Sequence, residues 1–528
     1  MMFKVLITDP LNEEGIQPLR DADNIEVVID TEMSPEQLEE QIADFDALLV
    51  RSQTNVTRQV IEKASRLKII GRAGVGVDNI DLDAATEQGI IVVNAPNANT
   101  NSAAEHTMAM IMSLSRKIPQ AHYALKNNKW ERSKYVGVEL KGKTLGIVGL
   151  GRIGTEVAYR AKGQRMNVIA YDPFLTKEKA EKLGIGHGTL EEVLKAADFV
   201  TVHTPLLKET KHLIDAEAFE RMKPNAQIIN CARGGIIDED ALYDAIASEQ
   251  IAGAALDVFE EEPIENHKLL ELPQVVVTPH LGASTIEAQE NVAIDVSHDV
   301  VSLLNGDTVS NPVNLPSLSK ELMNKIEPYF NLAEKLGQFL IHLTDEALQK
   351  INIYYSGDLS EMEVAPLTRN AVKGILKRHL GDHVNDVNAL YLAEKKGITV
   401  HENKTSSTKG FTNLLTVEIE TPSEKRKVSG TLLNGLGARI VKVDDYRVDV
   451  TPDGHIVAIH HHDQPGVIGR MGILLAEHDV NIATMQVDRL DAGGKAIMLL
   501  KVDKHVDQKA LERLEGMEEI YEVTAVDL

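Results

Sequence analysis

Parallel-sheet α/β architecture is predicted for roughly the first 285 residues, followed by an α+β unit and a small βαββαβ unit, on three observations. Short β-branched runs alternate with helical stretches, and each run is apolar throughout instead of alternating. That pattern marks strands buried on both faces and joined by crossover helices. Beyond a proline-containing segment near residue 315 the rhythm changes, which marks a change of domain.

The predicted strands of the first unit lie in VLITDP (5–10), ALLVRS (47–52), LKIIGRAG (67–74) and IIVVNAP (90–96). Those of the second lie in TLGIVGLG (144–151), NVIAYDP (167–173), DFVTVHTP (198–205), AQIINCARGG (226–235), AALDVFEEEP (254–263) and VVVTPH (275–280). A helical pattern from Thr100 to Trp130 separates the two sets, and its methionines Met108, Met110 and Met112 are read as packing groups. A second helical stretch, 287–306, stops at Asn305 and Gly306. NPVNLPSLSK (311–320) then reads as a linker, and INIYYSG (351–357) and LLTVEIE (414–420) as alternating strands of the next unit. From about Gly454 the pattern is strand, helix, strand, strand, helix, strand.

With 528 residues the chain is long enough for three or four domains. A formal net charge of −25 repels nucleic acid and anionic membranes, so neither is expected as a partner. The single cysteine forbids an intramolecular disulfide. MMFKVLITDP lacks the features of a signal peptide, and no apolar run is long enough for a membrane span. A cytoplasmic, soluble protein is expected.

Gly149, Gly151 and Gly154 form G-x-G-x-x-G between an apolar strand and a helix, which makes the second unit Rossmann-like. The first glycine permits a tight turn, the second admits a pyrophosphate, and the third lets helix pack on strand. Asp172 closes the next strand, where a carboxylate can accept both ribose hydroxyls and repel a 2′-phosphate, favouring NAD over NADP. Arg51 and Arg72 end strands of the first unit and are candidate anchors for a substrate carboxylate or phosphate. Three later strand ends offer Arg233, one of the glutamates 260–262, and His280. Together these suit hydride transfer at a hydroxyl-bearing carbon: the histidine takes the proton, the glutamate orients it, and the arginine holds a carboxylate. Which glutamate acts stays open at this point.

GRAGVGVDNID, GLGRIG with Asp172, VHTPL, CARGGIID, DVFEEEP and TPHLGAST, in this order, resemble the NAD-dependent D-2-hydroxyacid dehydrogenases over about the first 315 residues. The resemblance implies Arg233, Glu262 and His280 as the catalytic set. It places Gly149, Gly151, Arg152, Ile153, Gly154, Asp172, Thr204, Cys231 and Asp257 at the cofactor, and leaves Cys231 no nucleophilic role. It further implies two Rossmann-like domains with a cleft between them: a substrate-binding domain from 1–98 and 286–314, and an NAD-binding domain, 99–285. Within the family the likeness is nearest to the branch that oxidises 3-phospho-D-glycerate to 3-phosphooxypyruvate, the first step of L-serine biosynthesis, with tetramers usual. Rivals are a reductase of glyoxylate, hydroxypyruvate or 2-oxoglutarate, and, in another class, an NAD-sensing corepressor-like protein.

Residues 318–452 resemble that branch's intervening domain. Residues 453–528, on the strength of DQPGVIGRMGILLAEHDVNI, resemble an ACT domain, a module that binds amino acids. There Asp463 and Asn481 are the candidate contacts for an effector, L-serine by resemblance. His460, His461 and His462 alternate between the faces of a strand, so no metal site is expected.

Overall fold

The computed structural model describes residues 2–528 except 317, 319, 408 and 409. Ser317 and Ser319 of the expected linker therefore lie outside the described residues.

Near the N-terminus, β1 (Phe3–Ile7), β2 (Ile25–Ile29), β3 (Ala47–Val50), β4 (Ile69–Arg72) and β5 (Ile91–Asn94) form a parallel sheet in the order β2-β1-β3-β4-β5. β3 is buried at every position, as a central strand under helices must be. β2 is absent from the sequence reading. It is an edge strand, half-buried at intervals, so it carries no continuous apolar block. The helix Ile286–Leu304 returns to this sheet after the second unit and buries Val292, Val296 and Val300 against it. Gly15 lets the helix Glu13–Arg20 approach closely, since a Cβ there would stand 2.3 Å from the Cβ of Ala293.

Seven parallel strands make the second sheet: β6 (Thr144–Val148), β7 (Asn167–Tyr171), β8 (Gly186–His187), β9 (Phe199–Val202), β10 (Gln227–Asn230), β11 (Gly253–Leu256) and β12 (Val275–Val277). Their order is β12-β11-β10-β9-β6-β7-β8, so the direction of winding reverses between β6 and β9. The two-residue β8 is too short to leave a sequence signal. The single helix predicted over 100–130 is instead two, Thr100–Arg116 and Ile118–Lys126, broken at the left-handed Lys117. Pro119 is the cause: in a continuous helix its ring would strike the Ser115 carbonyl. That carbonyl accepts the Val138 N–H at 2.9 Å instead. Met108 and Met110 are buried in the core.

The third sheet runs β14-β13-β15-β16-β17-β18, from β13 (Lys350–Gly357), β14 (Thr399–Thr405), β15 (Asn413–Glu420), β16 (Lys425–Leu433), β17 (Gly437–Val443) and β18 (Tyr446–Val450). Only the β13–β14 pair is parallel. Helices Pro328–Ile341 and Ala365–Leu380 cross at Gly337 and Gly374, where any Cβ would come within 2.2 Å of the facing helix's carbonyl. The last sheet, β20-β21-β19-β22, is antiparallel and comprises β19 (His455–His462), β20 (Ile482–Arg489), β21 (Lys495–Val502) and β22 (Ile520–Asp527). One face carries the helices Val467–Glu477 and Gln508–Glu515, and the other shares a core with the third unit through Ile456, Ala458, Ile497, Leu499 and Val526. No helix among the described residues is long and apolar enough to cross a membrane.

Polar contacts tie the units together. Glu87, on the first unit, meets Arg58 at 3.1 Å and also pairs with Lys395 of the third. Asn385 Nδ2 donates to the Gly89 carbonyl at 2.8 Å. Between the third and fourth units the buried Arg426 donates to Glu522 at 3.2 Å, Asp444 at 3.1 Å and the Leu343 carbonyl at 3.1 Å. Removing this cation takes away the partner that Asp444 and Glu522 share, leaving Glu522 with His460 and Asp444 with the Lys427 N–H. Arg426→Ala is therefore expected to destabilise the C-terminal half by roughly 2–3 kcal/mol, read as an earlier urea transition; an unchanged midpoint would refute it.

Candidate active site

Dinucleotides bind parallel sheets where the winding reverses, and here that point lies between the ends of β6 and β9. Gly149 follows β6 with φ 95°, and a Cβ on it would stand 2.7 Å from the His203 carbonyl and 2.9 Å from Thr204 Cγ2. Gly154 packs against the same turn, its ideal Cβ 2.2 Å from the Gly149 carbonyl. Gly151 faces open space, which a side chain would fill, and it caps the helix Arg152–Gly163 without a side-chain bond. The first-turn N–H groups of that helix are thus available to an anion. Asp172 accepts from Leu150 N and Phe174 N, both at 2.8 Å, which orients its carboxylate at the end of β7. Thr204 Oγ1 is buried without a partner among the described residues. An unfilled hydroxyl, an open glycine, an uncapped helix and an oriented carboxylate fit an NAD phosphate and ribose.

Arg152 Nη1 donates to the Pro96 carbonyl at 3.1 Å and Ile153 packs on the core, so both brace the loop. Cys231 is buried and its thiol is pushed up to about 12 by that burial, which rules out a thiolate nucleophile at neutral pH. Burial likewise holds His203 down to about 4, so it is neutral.

The structure brings Arg51, Arg72 and Arg233 into one electrostatic neighbourhood. Burial, together with the nearby Arg233 and Arg51, lowers Arg72 from its ordinary value, against the opposing pull of Asp78 and Asp9. Arg72 Nε is buried with no partner among the described residues. Arg51 follows β3, and its loop is held by Asp9, which accepts from the N–H groups of Arg51, Gln53 and Thr54. Arg233 reaches across from the second unit to lie over Gly76, 3.5 Å from the exposed Asp78.

Three neighbouring strands, β10, β11 and β12, end in the loops that carry Arg233, Glu262 and His280. The first two loops abut so closely that a Cβ on Gly234 would stand 1.8 Å from the Phe259 carbonyl. Glu262 Oε2 meets His280 Nδ1 at 2.7 Å, and its Oε1 accepts Phe259 N–H at 3.0 Å. Burial pushes the Glu262 carboxyl up, but these two bonds outweigh it and hold the group below its ordinary value. His280 itself sits in the left-handed region at φ 55°.

Asp257 anchors the turn that makes this possible. It is 1% exposed and accepts from Thr278 Oγ1 at 2.6 Å and from the N–H groups of Leu281 and Gly282 at 2.8 Å, with His106 Nε2 at 3.1 Å. Burial raises its carboxyl and the hydrogen bonds win, holding it lowered. Asp257 thus shapes the His280 loop, with both oxygens already engaged. Sequence reasoning missed His106 and Ser102, whose hydroxyl donates to the Gly282 carbonyl at 2.9 Å. Both lie on a helix more than 150 residues earlier in the chain, so no local pattern could signal them.

Asp463 and Asn481, expected to share one amino-acid ligand, do not meet within a chain. Asp463 follows β19, beside the His462–Lys495 pair, whereas Asn481 precedes β20, beside the Ile482–Val502 pair at the opposite end of the sheet. An eight-residue strand separates them, roughly 25 Å. Asp463 is paired with Arg489 at 2.5 Å and Asn481 donates to Asp503 at 2.8 Å.

Residues 108–282 match the family described as D-isomer specific 2-hydroxyacid dehydrogenase, NAD binding domain. Residues 325–444 match the D-3-phosphoglycerate dehydrogenase intervening domain, and 455–519 the ACT domain. The chain is 47% identical over 527 residues to a D-3-phosphoglycerate dehydrogenase of Bacillus subtilis, and 44% identical over 528 to one of Methanocaldococcus jannaschii, with 100% of each chain covered in both cases. Among solved structures, D-lactate dehydrogenase from Aquifex aeolicus, complexed with NAD and lactic acid, matches at 30% identity and a TM-score of 0.53, covering 60% of this chain and 100% of that one.

The depressed Glu262 carboxyl carries a stability prediction with a definite sign. Its pairing stabilises the fold above the unfolded glutamate range, and the benefit disappears as pH falls through the lower native value. Urea unfolding across pH should therefore separate wild type from Glu262→Gln most above about pH 5 and merge them in acid; a pH-independent difference would contradict the pairing.

Proposed function

The chain belongs to the D-3-phosphoglycerate dehydrogenases of the D-isomer specific 2-hydroxyacid dehydrogenase family, and from that premise we propose how its own residues oxidise 3-phospho-D-glycerate to 3-phosphooxypyruvate, the first step of L-serine biosynthesis. The observation that carries the reading is the grouping of Arg51, Arg72 and Arg233 in a protein of net charge −25. A phosphorylated hydroxyacid brings about three negative charges, one from its carboxylate and nearly two from phosphate. Three arginines match that number, where an unphosphorylated acid needs one.

In this assignment Arg233 holds the substrate carboxylate, a contact that replaces Asp78, and polarises the oxygen on the reacting carbon. Arg51 and Arg72 hold the phosphate. His280, with Nδ1 committed to Glu262, uses Nε2 to accept the hydroxyl proton, and the Glu262 carboxylate stabilises the imidazolium that results. Bound NAD supplies the hydride acceptor. Gly149, Gly151, Gly154 and the first turn of the following helix would hold its pyrophosphate, and Asp172 its ribose. Asp257, through four internal contacts, positions His280 without touching substrate.

The reading extends to a cytoplasmic homotetramer, the form usual in the family, with L-serine as effector. Because Asp463 and Asn481 lie at opposite ends of one sheet, an effector touching both must bridge two copies of the ACT domain.

Initial NADH formation should strongly favour 3-phosphoglycerate over D-glycerate, and activity with neither acid would overturn the substrate assignment. Arg51→Gln or Arg72→Gln should raise KM roughly ten- to a hundredfold with kcat largely kept; a loss confined to kcat would contradict their role as anchors. His280→Gln is expected to lower kcat by about 10²–10⁴. Serine inhibition should be lost in Asn481→Ala with basal turnover intact, and inhibition unchanged in that variant would contradict the effector assignment.

A further inference from the structure

Outside the dehydrogenase site, three metal-ligand side chains meet at one corner of the C-terminal sheet. His455 opens β19, Asp527 closes β22, and the two stand opposite in antiparallel register. The flanking residues Gly454 and Leu528 exchange both backbone bonds, at 3.1 and 2.9 Å, so His455 and Asp527 form the non-hydrogen-bonded kind of pair. Side chains of such pairs stand closest together. His505 arrives from the segment between β21 and the helix Gln508–Glu515. His455 Nδ1 lies 2.6 Å from Asp527 Oδ1, and His505 Nδ1 lies 2.8 Å from Oδ2. One ligand atom from each residue falls within 4.8 Å of the other two.

We propose that His455, His505 and Asp527 form a binding site for a divalent transition-metal ion of the zinc class. The donor set is two imidazole nitrogens and one carboxylate oxygen, which suits zinc and its neighbours. Calcium and magnesium prefer shells of oxygen. Zinc would draw the three atoms to roughly 3.3 Å apart, as bond lengths near 2.0–2.2 Å require, and water would complete a tetrahedron. The adjustment is small, because His505 and Asp527 are more than half exposed and free to rotate. Each Nδ1 must offer its lone pair to the metal, so the single proton of each neutral ring moves from Nδ1, where it faces Asp527, to Nε2. Once bound, the ion joins the first strand, the last strand and an intervening loop at a single point, and so ties the end of the chain to its sheet.

In the sequence the conspicuous histidines are the neighbouring run His460–His462, which alternates between the faces of its strand. The ligands proposed here lie 72 and 22 positions from Asp527 and become neighbours only when the sheet forms.

The test is zinc titration of chelator-treated full-length protein against a chromophoric competitor, for wild type, His505→Gln and Asp527→Asn. One equivalent per chain is expected for wild type, with affinity at least about tenfold weaker in each variant and NADH formation measured without zinc unchanged. Equal affinity in wild type and variants, or no tight equivalent in wild type, overturns the proposal. Cobalt(II) on wild type gives an independent reading: the intense visible absorption of a four-coordinate site supports it, and the pale spectrum of an octahedral ion refutes it.

Discussion

A buried carboxylate governs the catalytic corner. Asp257 is nearly inaccessible to water, and an ionised group there is tolerable only because hydroxyl, backbone and imidazole partners surround it. Those partners are themselves the site: Thr278, Leu281 and Gly282 bracket His280, and His106 belongs to the helix that packs beneath. Satisfying one charge therefore fixes the turn that holds His280 in the left-handed region and brings its Nδ1 to Glu262. The contacts that satisfy this buried charge are thus the same ones that hold the His280 loop against the fold.

The same economy appears in the nucleotide loop and the cationic cluster. Gly149 and Gly154 are required by close approach of backbone to backbone, whereas Gly151 keeps a space open at an uncapped helix end. Arg72 is partly desolvated beside two further cations, an arrangement unfavourable by itself. In the proposed assignment a polyanionic substrate would relieve that repulsion, and Arg233 comes from one sheet and Arg51 and Arg72 from the other.

Beyond residue 315 the structure is built from shared surfaces. The face of the last sheet opposite its helices completes the core of the third unit, and Arg426 bridges the two with three acceptors from different segments. Glu87 gathers Arg58 and Lys395 on the other side of the third unit. The third unit thus touches both the C-terminal sheet and the unit that carries Arg51 and Arg72.

Much of this was legible in the sequence. Parallel strands, the glycine loop, Asp172, and the order Arg233, glutamates 260–262, His280 all follow from short-range patterns, because a buried parallel strand is apolar along its length and the residue after it sits at the ligand-binding edge, whereas the choice of Glu262 among the three glutamates came from the family resemblance. What escaped depends on distant partners: edge strands β2 and β8, the break at Lys117, the anchoring role of Asp257 with His106 and Ser102, and the separation of Asp463 from Asn481. The sequence by itself determined which residue types stand at each strand end, since that is a matter of local chain chemistry. Which of them meet was decided by tertiary structure alone, because strand order and register set distances between residues that the chain places tens to hundreds of positions apart.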